Sequence, residues 1–336
     1  MEEKAKKYKV AIVTGANSGI GFSICQRLLE TEDDNLTLIM ACRNFKRATV
    51  AKEKLLSQFP FAHISIELVD VSKMMSVFAF CRSIKEKYEY VNYLFCNAGI
   101  LSALGINWKK TLIMLFTQPV ELLERSDATI QNVGEVTEEG VGYVFAANVM
   151  GHYIMMRELE GLFERSGDGR VIWTSSITAD STCFDIKDYQ GVKSLMPYES
   201  SKWACDLVAI ATHERYKAEN RKISSFTTSP GVVASQIGDM PLWITLVRII
   251  LHYIMRWIGI QSQNITAYNG AIADVYAASE PLSKMDHLKR YSSLTDRWGH
   301  PFVRGIPVHD YDPDQAEKLV EKCELMYQAA KKANDA

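Results

Sequence analysis

Val10-Ala-Ile-Val13, then Thr14-Gly-Ala-Asn-Ser-Gly-Ile-Gly21, then Phe22-Ser-Ile-Cys-Gln-Arg-Leu-Leu29 reads as strand, glycine turn and helix. The apolar quartet suits a buried strand, and from Phe22 onward apolar positions recur at helical spacing. Each glycine has its own use: Gly15 permits the tight turn, Gly19 lets the backbone approach a pyrophosphate, and Gly21 allows close packing of helix on strand. The helix N-terminus faces the phosphates, so Thr14, Asn17, Ser18 and Ile20 join the glycines in a predicted dinucleotide-binding loop. A plain turn would use the same residue types, and the rest of the chain decides between the two.

A second strand, Leu36 to Ala41, ends in Cys42-Arg43, about twenty residues after the last glycine, where NAD-binding folds carry an acid for the ribose 2′-hydroxyl. Arginine grips a 2′-phosphate through paired charge-assisted bonds, whereas a carboxylate repels it. NADP(H) is therefore the expected cofactor, with Lys46 and Arg47 in support. Strands from His63 to Val69 and from Val91 to Cys96 end in Asp70-Val71 and Asn97-Ala98-Gly99. In an open parallel sheet such ends share one rim, where Asp70 meets the adenine and Asn97 braces the crevice; capping of the following helices is the other use. A fifth strand, Arg170 to Thr174, leads into Ser175-Ser176. A sixth, Ile223 to Thr228, leads into Ser229-Pro230-Gly231 and on to Ser235, a turn suited to hold a nicotinamide on backbone.

Tyr198-Glu-Ser-Ser-Lys202 supplies the chemistry, because residues four apart on a helix share a face. A phenol ordinarily titrates near ~10, and a fixed neighbouring cation favours its ionised form. Tyr198 is thus the expected proton donor to a carbonyl oxygen, with a serine at the end of the fifth strand to orient that oxygen.

The bulk composition narrows the partners. Lys+Arg at 38 against Asp+Glu at 40 leaves no basic field for nucleic acid. Seven scattered cysteines with no C-x-x-C pair suggest neither a disulfide framework nor a zinc site, and no metal is expected. The first residues are charged and run directly into a strand, so no apolar leader is expected; residues 1–336 read as one domain. Two stretches stand apart. Residues 101–147, with Trp108 and Thr111-Leu-Ile-Met-Leu-Phe-Thr117, are either part of an apolar substrate tunnel or a surface excursion. Residues 241–260 are long enough to span a bilayer yet carry Arg248, His252 and Arg256 at intervals of four. Each arginine at a bilayer centre costs ~2.5 to 3.5 kcal/mol, so an in-plane helix is expected, with Trp243 and Trp257 at headgroup depth and the cations on phosphates. A buried or dimer-forming helix is the alternative. The tail from Asp310 is charged and reads as helical.

The glycine loop, Asn97-Ala-Gly99, Asn148, Ser176, Tyr198-x-x-x-Lys202 and Pro230-Gly231, in this order, resemble the short-chain dehydrogenase/reductase family. The resemblance implies a doubly wound Rossmann fold with a seven-stranded parallel sheet and a catalytic tetrad of Asn148, Ser176, Tyr198 and Lys202, with Ser175 as the other serine in reach. It also implies that Lys202 holds the nicotinamide ribose and that Asn148 supports a water relay. Within the family, Met40-Ala-Cys-Arg-Asn44, Asn148-Val-Met-Gly-His152, Arg157-Glu-Leu-Glu160, Val171-Ile-Trp-Thr-Ser-Ser176 and Tyr268-Asn-Gly270 resemble the 3-ketosteroid reductases of sterol biosynthesis, relatives of 17β-hydroxysteroid dehydrogenase type 7. Val91 to Phe95, Gly105 to Trp108 and Phe116 to Glu121 are similar to the fungal branch. Ser235 stands where the family usually has threonine to hold the carboxamide. The resemblance implies NADPH-dependent reduction of a 3-keto sterol to the 3β-alcohol during C-4 demethylation. It places the chain at the endoplasmic reticulum membrane, facing the cytosol, beside other enzymes of that pathway. A 17-ketosteroid or other lipid carbonyl reductase, and a membrane scaffold that binds NADP(H) and sterol without turnover, are the competing readings.

Overall fold

The computed structural model describes residues 8–32, 35–125, 127–233 and 242–335. Eight strands form the central sheet: β1 Lys9–Thr14, β2 Leu36–Cys42, β3 His63–Leu68, β4 Tyr93–Cys96, β5 Gly169–Thr174, β6 Ile223–Ser229, β7 Lys289–Thr295 and β8 Pro301–Pro307. Their order is β8-β7-β6-β5-β4-β1-β2-β3. β1 to β7 run parallel, as expected for seven strands, and β8 adds an antiparallel edge by a short return from β7. Every residue of β4 and β5 is buried, which is why Tyr93-Leu-Phe-Cys96 and Val171-Ile-Trp173 are apolar without alternation.

Helices α1 Gly19–Glu32, α2 Phe45–Gln58, α3 Met74–Lys87, α4 Trp108–Thr117, α5 Gly151–Ser166, α6 Pro197–Ala218, α7 Leu242–Trp257, α8 Ile272–Ser279 and α9 Pro313–Asp335 complete the main framework. α1, α2 and α8 bury Ile24, Leu28, Leu55 and Val275 on one face of the sheet. α3, α5, α6 and α9 bury Phe78, Leu159, Leu207 and Leu319 on the other. Strand order reverses between β1 and β4, and the crevice of a doubly wound sheet opens at such a point.

Within residues 101–147, the described residues as far as Gly140 lie mostly at the surface, whereas Val141, Phe145 and Ala146 enter the core. Strands Ala103–Ile106 and Thr129–Gln131 pair antiparallel. Asn107 caps α4 by accepting from the Lys110 amide at 3.0 Å, and Met114 is the one residue α4 buries. Trp108, Leu112, Ile113, Leu115 and Phe116 are exposed.

In α7 the polar stripe departs from expectation at one position, His252, while apolar side chains of the helix lie exposed. His252 is buried with Nδ1 2.8 Å from Gln263 Oε1, and Arg256 is half-buried over the Tyr253 ring at 4.9 Å. The stripe expected to meet phosphates therefore faces the protein at His252, because Gln263 offers a buried polar partner there. Leu246, Ile250, Tyr253, Ile254 and Trp257 lie exposed instead. Ser235 and the side chains of Trp243 and Arg248 lie outside the described residues. No helix among the described residues is long and apolar enough to cross a membrane.

Candidate active site

Gly15 and Gly19 have φ of +68° and +55°, the left-handed region that favours glycine. A Cβ on Gly21 would lie 2.4 Å from the Gly15 carbonyl oxygen and 2.6 Å from Asn97 Nδ2, so only glycine allows this approach of helix to strand. Thr14 is buried and forms the floor of the loop, not its wall. Its Oγ1 accepts from the Asn97 and Ala98 amides at 2.9 Å and lies 2.9 Å from the Phe95 carbonyl, while Asn97 Nδ2 donates to the Thr14 carbonyl at 2.8 Å. These bonds tie β1 to β4 at the crevice, so the expected cofactor contact falls to the residues above Thr14.

A cleft of about 520 Å³ lies there, lined by Gly15, Asn17, Ser18, Ile20, Gly21, Arg43, Asp70, Asn97 and Gly99. Arg43 is largely exposed, with Nη1 3.9 Å from Asp70 Oδ2. Asp70 Oδ1 is fixed by the Ser72 amide at 3.1 Å and hydroxyl at 2.7 Å. Gly19, Lys46 and Arg47 line an adjoining recess, and a Cβ on Gly19 would meet nothing within 4 Å. Open backbone at the helix N-terminus and guanidinium groups beyond β2 fit a dinucleotide with a phosphorylated ribose.

The four tetrad candidates gather at the ends of β4 and β5. Pro197 opens α6, and Tyr198 in its first turn is half-buried. Lys202 is 5% exposed; its Nζ sits 5.7 Å from the Tyr198 ring centre and donates to the Thr174 carbonyl at 2.8 Å. Ser176, half-buried, follows two residues later with Oγ 3.0 Å from Thr178 Oγ1. Ser175 is buried and donates to the Lys202 carbonyl at 3.0 Å, so Ser176 is the serine left open to a ligand. Asn148 lies in a π-helical turn, Ala146–Met150. Its Oδ1 accepts from the Ile100 amide at 2.7 Å, and Nδ2 donates to the Ile100 carbonyl at 3.1 Å and Ser201 Oγ at 2.9 Å. Both amide hydrogens are thus engaged, and the side chain clamps the turn after Gly99. A Cβ on Gly99 would lie 2.8 Å from Asn148 Oδ1. Gly231 has φ of +62°, and the Pro230 carbonyl accepts from Asn264 Nδ2 at 2.6 Å.

Three further residues had no role in the sequence reading. His152 lies one turn past Asn148, its ring between Thr14 Oγ1 at 3.0 Å and the Asn148 carbonyl at 3.4 Å, and burial pushes it down to about 3, so it is neutral. Gln131, the last residue of the strand Thr129–Gln131, accepts from the Tyr198 amide at 3.0 Å and donates to Glu199 Oε2 at 2.7 Å. Asp274 in α8 accepts from Thr174 Oγ1 at 2.8 Å.

The short chain dehydrogenase model matches residues 9–240. The chain belongs to the short-chain dehydrogenase family. Among its relatives, 3-keto-steroid reductase/17-beta-hydroxysteroid dehydrogenase 7 of Rattus norvegicus is 35% identical over 93% of both chains. The 3-keto-steroid reductase erg27 of Schizosaccharomyces pombe is 30% identical over 96% of this chain and 98% of that one. L-sorbose reductase of Gluconobacter frateurii, solved with NADPH and L-sorbose, shares the fold at TM-score 0.56 and 18% identity, over 82% of this chain and 90% of that one.

Proposed function

We propose that this short-chain dehydrogenase reduces a 3-keto sterol to the 3β-hydroxy sterol with NADPH, within C-4 demethylation of sterol biosynthesis. The arrangement of Lys202 beside Tyr198 carries carbonyl reduction, and relatives named 3-keto-steroid reductase that align over nearly all of both chains carry the substrate class. Arg43 and Arg47 hold the 2′-phosphate, while Asp70 and Asn97 flank the nucleotide. Bound NADPH supplies hydride to the ketone carbon. Tyr198 gives its hydroxyl proton to the ketone oxygen, which the Ser176 hydroxyl orients. The Lys202 ammonium stabilises the negative charge left on Tyr198, and Asn148 braces the turn behind both. NADPH oxidation is the readout. A 3-keto sterol should drive it faster than a 17-keto steroid; the reverse preference would support the other steroid activity, and no response to any ketone would leave only a scaffold.

The substrate route completes the reading. α4 and α7 expose apolar side chains, and Glu124, beyond the end of α4, accepts from Ser262, beyond the end of α7. Both lie in the plane of the endoplasmic reticulum membrane with the catalytic domain in the cytosol, and sterol passes from the acyl region to Tyr198. Other enzymes of the C-4 demethylation sequence sit alongside on the same membrane. Vesicle flotation tests this: wild type should float and a Leu112→Glu, Ile250→Glu variant should not. Failure to float together with dimeric sedimentation would assign these faces to a homodimer.

A further inference from the structure

Asp274 is fully buried in α8, on the face of the sheet opposite α6. A carboxylate there is costly unless it is bonded, and its neighbours Ala273, Val275 and Ala277 show that the site otherwise takes apolar residues. Its Oδ1 accepts from Thr174 Oγ1 at 2.8 Å and from Thr228 Oγ1 at 2.7 Å, while Oδ2 has no hydrogen-bond partner among the described residues. Two hydroxyls donating to one oxygen set the group up as an acceptor. Burial pushes the carboxyl up to about 6, and the two threonine bonds and the Lys202 charge act the other way.

Thr174 joins the two sides of the sheet. Its hydroxyl bonds Asp274, and its carbonyl accepts from Lys202 Nζ at 2.8 Å. Lys202 is itself buried, so its ammonium needs both a fixed acceptor and an opposing charge. We propose that Asp274 is a positioning residue for Lys202: it anchors Thr174, whose carbonyl holds the ammonium, and its negative charge offsets that ammonium across the strand. A group that only filled space would serve as well as valine or alanine. This inference rests on the reading of Tyr198 and Lys202 as the reducing pair.

Full-length wild type, Thr174→Val, Thr174→Ser and Asp274→Asn are compared for kcat and KM with a 3-keto sterol and NADPH, alongside thermal melting. Thr174→Val keeps the strand's shape and deletes the hydroxyl, so kcat should fall at least about tenfold with ketone KM changed by less than about threefold. Thr174→Ser restores the hydroxyl and should recover most of kcat; Asp274→Asn keeps an oxygen to accept from Thr174 but removes the charge, so it should lower kcat by less than Thr174→Val does, and wild-type kcat there overturns the charge part of the inference. Wild-type kcat in Thr174→Val overturns the inference, as does equal loss in Thr174→Val and Thr174→Ser, which would assign the effect to the methyl group. Should Asp274→Asn fail to fold, the threonine pair decides alone. No ketone-dependent turnover in wild type would instead defeat the reductase reading, and the two failures are thereby distinct.

Discussion

Gln131→Leu removes one side-chain amide at nearly constant volume and cuts the tie between the strand Thr129–Gln131 and the catalytic helix. Two bonds are lost: the Tyr198 amide to Oε1 at 3.0 Å and Nε2 to Glu199 Oε2 at 2.7 Å. The first is worth about 1 kcal/mol and the second, to a carboxylate, about 1.5–3 kcal/mol. Glu199 is 3% exposed and its Oε1 already has no partner among the described residues, so the loss removes the side-chain bond this buried carboxylate receives from Gln131. For a chain this long each kcal/mol moves the melting temperature by about 1.4 °C, which gives a fall of roughly 3–6 °C. The effect depends on pH. Burial holds Glu199 above the usual carboxylate range, against the bond from Gln131 that lowers it. A carboxyl raised in the folded state binds its proton more tightly there than in the unfolded chain. Its contribution is therefore full below the unfolded value and is lost as pH rises through the folded one. Gln131→Leu raises the folded value further, so the drop should be larger at about pH 8 than at about pH 5. Scanning calorimetry at both values is the assay, with turnover expected to fall about tenfold as the first turn of α6 slackens. Melting within about 1 °C of wild type at both values would refute the clamp.

Three other substitutions probe the cofactor and the two serines. Arg43→Asp places a carboxylate against the 2′-phosphate and should cut kcat/KM for NADPH relative to NADH at least about tenfold; an unchanged ratio would remove Arg43 from the phosphate site. Ser176→Ala should lower kcat by about a hundredfold with little change in melting. Ser175→Ala deletes the bond to the Lys202 carbonyl and should cost about 1 kcal/mol of stability, with the smaller loss of rate. The opposite ranking in rate would exchange the two serines.

β1, β2, β4 and β5 were legible because each carries an apolar run closed by polar residues at the rim, β3 and β6 through their β-branched residues, and the glycine loop through its spacing. β7 and β8 were not. Lys-Arg-Tyr-Ser-Ser-Leu-Thr has no apolar run, and its buried Ser293 and Thr295 are paid for by bonds to the Gly270 and Gln263 carbonyls, which no local pattern announces. Gln131 and Asp274 were hidden for a related reason: their partners lie 67 and 100 residues away. In α7 the spacing of four correctly put His252 and Arg256 on one face, but periodicity says which residues share a face and not which way that face points. Gln263, beyond the helix, sets the direction. Asn148 was found by resemblance, whereas its clamp on Ile100 follows from the π-helical turn that carries it.

The proton donor assignment is tested most directly by incubating purified protein with a 3-keto sterol and NADPH deuterated at the transferring position, wild type beside Tyr198→Phe. Wild type should give the 3β-alcohol with deuterium on C-3, while Tyr198→Phe still binds NADPH and gives almost none. Comparable labelled alcohol from both proteins would contradict the account.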